Sequence, residues 1–284
     1  KSRDKRHKKG SFDREDPGLT DCVSMDQVGL TDLPGTISIG GNRYAIVFSK
    51  VMEELWDFIP VRTLNTDDAD RCVSEFCNIF TYPEYVSKLV AYSDAHPSLI
   101  SVCERYKMKQ YHPPPGRPQG NSVIERKIGV ALAGMRATLA SAHLPNCFWN
   151  FAGHCFAFID NLRTRKGAPA CPYTMCTGHE WKSTIFICGE LVFFKPAKTI
   201  TKQAKTDPTL VPGIFLDYCR GIEGKFSGQY VVCDLKDFVG ENLHHRIGRQ
   251  HFRLHLHRTE VVKLPVGNGA VSYTHLTLPT NLRV

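Results

Sequence analysis

Three short segments near the start of the chain are rich in apolar residues of the kinds that form β-strands, and in the third the apolar residues alternate with polar ones. The segments cover residues 22–28, 43–49 and 55–61. Turn residues precede the second segment, and Pro60 favours a strand end or a sheet edge for the third. Because the links between the segments are short, the pattern predicts an antiparallel meander.

The period then changes to that of a helix. Apolar residues recur at every third or fourth position over 67–80, and Thr66 is the predicted N-cap of this helix. Further elements follow up to residue 161. They are a strand over 85–92, a helix over 97–106, a brief strand at 110–111, a proline-rich loop over 113–120, and helices over 121–142 and 145–161.

A meander followed by alternating helices and strands is the element order of the ribonuclease H-like fold. We therefore expect an α/β domain with a mixed five-stranded sheet flanked by helices. Strands predicted over 185–194, 213–217 and 229–234 indicate a small β-rich module after it. The expected organisation is a basic disordered arm or linker at 1–20, a catalytic core at 21–165, the β-rich module at 166–240, a basic His-rich tail at 241–269 and a non-native tail at 270–284, where the sequence resembles translated adapter read-through.

Composition narrows the class of protein. Of the 284 residues, 42% are hydrophobic and 10% aromatic, which excludes a wholly disordered chain. No apolar run approaches the ~20 residues of a membrane span, and no apolar segment follows the basic N-terminus as in a secretory signal. Most of the 11 cysteines lie in apolar sequence and are expected to be free thiols in a reducing compartment. Cys171 and Cys176 are a close pair, but nothing nearby completes a zinc site.

The formal net charge of +8 is concentrated in residues 1–9 and 243–263, and the second segment also contains five of the twelve histidines. A chain whose two terminal segments are basic and whose central part is nearly neutral favours a polyanionic partner, most often nucleic acid. Solvated tails without a ligand explain the charge equally well. We interpret the histidines as part of a charged tail rather than as metal ligands.

Three carboxylates occur where such a fold would bring them together. Asp26 lies on the first strand, Asp94 follows the fourth, and Glu125 lies in the first turns of the long helix. Oxygen ligands converging there would bind one or two Mg²⁺ ions and support in-line displacement at a phosphodiester. Spacing alone does not select these three from 28 acidic residues. Asp21 competes for the first position, but five residues away on a strand it faces the opposite side.

Several motifs in this region resemble those of copia-type retrotransposon integrases. The segment Gln119-Gly-Asn-Ser-Val-Ile-Glu-Arg-Lys127 resembles the surroundings of the catalytic glutamate in that family, and the loop Tyr111-His-Pro-Pro-Pro-Gly-Arg-Pro118 fits before it. Asp26-Gln-Val-Gly29 resembles the first-aspartate strand. The resemblance covers about residues 20–240. Its remaining landmarks, in order, are Gly41-Asn-Arg-Tyr44, Leu144-Pro-Asn-Cys-Phe-Trp149, Asn161, Cys171-Pro-Tyr173, Ile187-Cys-Gly189 and Gly213-Ile-Phe-Leu-Asp-Tyr218.

The resemblance implies a polynucleotidyl transferase that uses two divalent metal ions to process DNA 3′ ends and join them to target DNA. It implies a catalytic and metal-binding triad of Asp26, Asp94 and Glu125, with Mg²⁺ or Mn²⁺ as cofactor. It also implies double-stranded DNA as partner, a homo-oligomeric assembly and a nuclear location.

Four residues near the predicted triad are candidates for contact with DNA. Arg126, Lys127 and Arg136 on the long helix would contact phosphates, although a solvated basic face is an equal interpretation. Asn121 would help position DNA, but we favour a helix cap. Trp149 and Phe151 in the following helix are expected to belong to the core.

The chain also departs from the family pattern. Ala-His-Pro97 follows Asp94 in place of the usual glycine-containing turn, the interval to Glu125 is short, and the N-terminal His/Cys zinc module is missing. Two alternatives therefore stay open. One is a DNA-binding relic that has lost its activity, and the other is a ribonuclease H-like nuclease.

Overall fold

A computed structural model describes residues 22–30, 37–80, 83–112, 121–197, 204–221, 224–239 and 254–265, without the side chains of 78–80 and 83–85. Its first sheet has five strands in the order β3-β2-β1-β4-β5. β1 pairs antiparallel with β2 and parallel with β4, β2 pairs antiparallel with β3, and β4 pairs parallel with β5. The strands are β1 (Cys22–Gly29), β2 (Tyr44–Lys50), β3 (Trp56–Val61), β4 (Val90–Ser93) and β5 (Lys109–Tyr111). The expected mixed five-stranded sheet is confirmed.

The inner strands present apolar side chains to both faces of this sheet. Helices therefore cover both faces. Val23 and Met25 of β1 pack with α1 and α2, whereas Ala45 and Val47 of β2 belong to the core under α3 and α4. Helix α4 approaches β3 closely, since a Cβ at Gly153 would lie 2.5 Å from the Phe58 ring. The helices are α1 (Thr66–Phe80), α2 (Pro97–Arg105), α3 (Ser122–Ser141) and α4 (Trp149–Asn161).

Some local predictions are wrong. The segment predicted as a strand over 85–92 begins instead as a 3-10 helix at Pro83–Lys88, and only Val90–Ser93 is extended. Asn65 rather than Thr66 caps α1, because its Oδ1 accepts the Asp68 N–H at 2.8 Å. The predicted helix over 145–161 starts with a 3-10 turn at Asn146–Phe148 before α4.

A second, antiparallel sheet follows the short helix α5 (Pro172–Thr177), which the sequence did not predict, and its strand order is β10-β6-β7-β8-β9. Two residues separate β9 from β10, although these strands lie at opposite edges. Such a link spans about 10 Å, whereas five flat strands span about 19 Å, so the sheet must curl into a small barrel. The strands are β6 (Leu191–Phe194), β7 (Val211–Arg220), β8 (Phe226–Asp234), β9 (Leu256–Thr259) and β10 (Val262–Lys263).

This barrel differs in detail from the sequence expectation. The strand predicted over 185–194 is shorter, whereas the two predicted over 213–217 and 229–234 are longer. β9 and β10 lie within the segment expected to be a basic tail. His257 of β9 is fully buried, and His255 pairs with Asp237 at 3.0 Å.

One apolar cluster joins the barrel to the first sheet. It includes Trp56 and Phe58 of β3, Trp149 of α4, and Phe215 of β7. The predicted core role of Trp149 is confirmed, since this ring is buried and packs edge-on against Phe58 at 6.2 Å. All 11 cysteines of the chain are free thiols and most are buried, as their sequence context predicts. Within the described residues, no helix is both long and apolar enough to cross a membrane.

Candidate carboxylate site

Asp26 of β1 and Asp94 lie next to each other where the pairing between the inner strands β1 and β4 ends. The last paired residues of β1 and β4 are Met25 and Ser93, so the next residue on each chain is one of the two aspartates. In a parallel pair, residues at the same level point to the same face. Asp26 shares its face with Ser24, which contacts Asn121 at the start of α3, so both aspartates belong to the face that α3 covers.

Glu125 enters the site from helix α3. It lies in the first turn of the helix and is exposed. The helix begins directly beside β1, because the Asn121 side chain hydrogen-bonds to Ser24 and to the Met25 carbonyl. The start of α3 therefore adjoins the strand that carries Asp26, and the catalytic and metal-binding role of the three acids stays a prediction.

The electrostatics of Asp26 show that the three acids influence one another. Partial burial, and then the negative charges of Asp94 and Glu125, raise the pKa of Asp26 from 3.8 to about 6. The Gln27 N–H donates to Asp26 Oδ1 at 2.7 Å and opposes this rise by favouring the ionised form. At neutral pH the site therefore concentrates negative charge that its burial disfavours.

This donor set suits a hard divalent cation. Carboxylate oxygens are the ligands that Mg²⁺ and Mn²⁺ prefer, and a cation would relieve the repulsion that raises the pKa of Asp26. Across the described ranges, however, no three His, Cys, Asp or Glu side chains are already arranged as a ligand set. Asp94 and Glu125 are exposed, so their side chains can turn toward Asp26 without unpacking the core.

The structure separates the four expected DNA-contact residues into two groups. Arg126 and Arg136 are exposed, and Arg136 lies about 20° from Glu125 around the helix axis. Lys127 lies about 200° from Glu125, on the opposite side of α3. There its ammonium group packs 5.9 Å from the Trp56 ring centre and 3.5 Å from the Glu54 carbonyl oxygen.

Two of these residues are oriented differently from what the sequence predicts. Lys127 packs against Trp56 and the Glu54 carbonyl, and burial, followed by the charge of Arg165, lowers its pKa to about 8. Asn121 occupies the N-cap position, but its side chain makes no cap hydrogen bond and is only 4% exposed. Its amide is bonded to β1, which leaves neither the predicted cap nor an open contact with DNA.

The polar residues that support the Asp94 loop were missed at the sequence level. Gln27 Nε2 donates to Ser98 Oγ at 3.0 Å, and Ser98 contacts His96 Nδ1 at 2.9 Å. On the other side, His112 Nδ1 donates to the Ser93 carbonyl at 2.9 Å. The sequence signal for part of this arrangement is the unusual Ala-His-Pro sequence after Asp94. It places His96 at the N-cap of α2 and Pro97 in the first turn of that helix.

Several other expectations fall outside the described residues. They are the competing Asp21, the arm at 1–20, the proline-rich loop at 113–120, the basic segment up to residue 253 and the tail at 270–284.

Comparisons with known proteins add structural likenesses of low identity. No protein-family model matches the chain, and no curated protein matches it. The catalytic core domain of BIV integrase is similar with a TM-score of 0.39 and 15% identity, over 55% of this chain and 93% of that one. A chain of the simian T-cell lymphotropic virus intasome in complex with PP2A regulatory subunit B56 gamma is similar with a TM-score of 0.43 and 8% identity, over 88% of this chain and 80% of that one.

Proposed function

We propose that this chain is a retrotransposon integrase of the copia type, a polynucleotidyl transferase that processes DNA 3′ ends and joins them to target DNA. The observation that carries the proposal is the proximity of Asp26 in β1, Asp94 directly after β4 and Glu125 in the first turn of α3. Burial, and then the negative charges of Asp94 and Glu125, raise the pKa of Asp26 to about 6. The ordered motif resemblance supports the copia-type assignment.

The chemistry follows from the donor set. Asp26, Asp94 and Glu125 would hold Mg²⁺ or Mn²⁺, which when bound lowers the pKa of an attacking hydroxyl and neutralises the departing phosphodiester oxygen. The protein's own part is to hold the three carboxylates close together. Phosphoryl transfer needs mainly positioning and charge neutralisation, so little further machinery is required of the chain.

Double-stranded DNA is the proposed partner, and α3 provides a surface for it. Arg136 lies on the Glu125 side of the helix, about 16 Å further along its axis. A phosphate contact there would place the backbone of one strand along α3 and beside the carboxylates. The family resemblance also leads us to propose a homo-oligomer that acts in the nucleus.

A branched oligonucleotide tests this function without knowledge of the element's end sequence. Such a substrate mimics the joined product, and reversing the joining step resolves it into two duplexes. With Mn²⁺ or Mg²⁺ we expect the wild-type chain to resolve it and Glu125→Gln to lose activity by at least about 10³-fold. Glu104→Gln is the matched control, because Glu104 is exposed on α2, across the sheet from the site.

The outcomes separate the alternatives. No resolution and no nicking of any end-bearing duplex in either metal would overturn the enzyme assignment and leave a DNA-binding relic. Cleavage of an RNA–DNA hybrid without any action on duplex DNA would instead indicate a ribonuclease H-like nuclease. Equal loss of activity in Glu104→Gln and Glu125→Gln would remove the site assignment.

A further inference from the structure

Asn121 stands at an unusual place for a buried asparagine. It precedes the first residue of α3, where an Asn side chain ordinarily accepts a hydrogen bond from the first helical turn. Here that bond is missing, and the side chain points to β1 instead. Its Oδ1 accepts the Ser24 hydroxyl at 2.6 Å, and its Nδ2 donates to the Met25 carbonyl at 3.3 Å.

The two bonds fix the orientation of the amide. The Met25 carbonyl can only accept, so the amide nitrogen must face it and the amide oxygen must face Ser24. All three residues are buried, with exposed fractions of 4% for Asn121, 2% for Ser24 and 0% for Met25. Removing the amide would therefore take the Asn121 acceptor away from the Ser24 hydroxyl in a place that water does not reach.

The contact lies between two of the proposed metal ligands. Asp26 follows Met25 directly and shares a face with Ser24, about 7 Å further along the strand. Glu125 is one helical turn beyond Asn121, with a rise of about 6 Å. Both carboxylates therefore lie close along the chain to the residues that form these two hydrogen bonds.

We propose that Asn121 is a positioning residue, whose hydrogen bonds to Ser24 and Met25 set the separation between the carboxylates of Asp26 and Glu125. This inference rests on the proposed function. It assigns Asn121 a role through β1 rather than through contact with DNA. Ser24 acts only as the partner of Asn121, so its contribution depends on the amide.

A second asparagine provides a matched control. Asn161 at the end of α4 is 2% exposed and bonds to the backbone of Trp56, with Oδ1 accepting from Trp56 N at 3.2 Å and Nδ2 donating to Trp56 O at 2.7 Å. It fastens a helix to a strand in the same way, but at β3 and not beside Asp26 or Glu125. Its loss should therefore affect stability alone.

The test is calorimetric binding of Mn²⁺ to the full chain without DNA, together with the thermal midpoint of each variant. We expect Asn121→Ala to weaken Mn²⁺ binding about 10- to 100-fold, as loss of a group that orients metal ligands does. Asn161→Ala should lower the thermal midpoint and change the dissociation constant less than about twofold. Ser24→Ala should weaken binding less, and the double variant should bind no more weakly than Asn121→Ala.

The results that overturn the inference differ from those that overturn the function. Equal Mn²⁺ affinity in wild type, Asn121→Ala and Ser24→Ala would remove the positioning role while leaving the proposed function. Additive losses in the double variant would also contradict it, because Ser24 would then act independently. Should Asn121→Ala fail to fold, Ser24→Ala against Asn161→Ala decides the question. If the Asp26→Asn variant binds Mn²⁺ with the same heat as the wild-type chain, the metal site and both proposals fail.

Discussion

Two groups of acidic side chains contact the strands of the first sheet, and they differ in how their charge is balanced. At the carboxylate site, the described contacts of Asp26 include one stabilising hydrogen bond, from the Gln27 N–H, and two repelling acids. At the junction with the barrel, Asp57 is fully buried and Arg220 donates to both of its oxygens, at 2.7 and 3.0 Å.

The junction contains a second balanced acid. Asp217 of β7 contacts His154 of α4, and the other ring nitrogen of His154 contacts Arg220. At the junction, the fold therefore supplies cationic and hydrogen-bonding partners to both buried acids. The carboxylate site has the opposite character, since its acids stay near solvent and repel each other. The difference favours a structural role for the junction and supports the proposed metal-binding role of the site.

The largest expected effect comes from breaking the balanced group. Arg220→Met should lower the free energy of unfolding by about 3–5 kcal/mol, because it leaves Asp57 buried without its partner. Urea denaturation measures this change. Arg71→Met is the control, since Arg71 pairs with Asp68 and Glu75 at the surface and its loss should cost less than about 1 kcal/mol. Similar losses of unfolding free energy in both variants would show that the buried ion pair at the junction stabilises the chain no more than a surface pair does.

A smaller effect of opposite sign is expected at the carboxylate site. The raised pKa of Asp26 means that its folded form favours the proton, so its contribution to stability is present below about pH 4 and is lost as pH rises through about 6. Asp26→Asn should therefore stabilise the metal-free chain by about 1–2 kcal/mol at pH 8, after discounting for partial exposure, and have no such effect at pH 4.

The comparison variant for this prediction is Asp57→Asn. It removes the charge that balances the buried Arg220, so it should destabilise the chain at pH 8. Thermal unfolding of both variants between pH 4 and pH 8 measures the contrast. Destabilisation by Asp26→Asn at pH 8 would contradict the view that this site carries unbalanced charge.

The smallest expected effect concerns DNA. Arg136→Met should weaken binding to a duplex about three- to tenfold at low salt and reduce the slope of log affinity against log salt by about one. Lys127→Met should change neither quantity, because its ammonium group packs against Trp56 and Glu54. Fluorescence anisotropy over a range of salt concentrations measures both variants. A larger loss with Lys127→Met would reverse the assigned faces of α3.

Much of the first sheet was predictable because its signals are local. The meander segments are rich in strand-forming apolar residues, α1 and α3 follow the helical period, and Asp94 directly follows a strand that lies beside β1. The segment over 85–92 failed because a short apolar run suits several conformations, and here the 3-10 helix at Pro83–Lys88 is followed by only four extended residues. The barrel was only partly recognised, since β10 has two residues in a basic segment.

Within the site, the sequence predicted the acids better than their surroundings. The role of Asn121 was missed because the capping preference is local, whereas its partner Ser24 lies 97 residues away. The predicted DNA contact of Lys127 stays a prediction, although the helical period alone places this residue opposite Glu125. Neither point changes the proposed grouping of the three carboxylates, which depends on strand register and on the start of α3.

Anomalous diffraction from crystals grown with MnCl₂ tests the central claim most directly. The account predicts a manganese peak that the carboxylate oxygens of Asp26, Asp94 and Glu125 approach to about 2.1 Å, with no such peak between Asp57 and Asp217. A manganese peak at the junction, or the three carboxylates ordered and turned apart with no ion between them at saturating Mn²⁺, would contradict it.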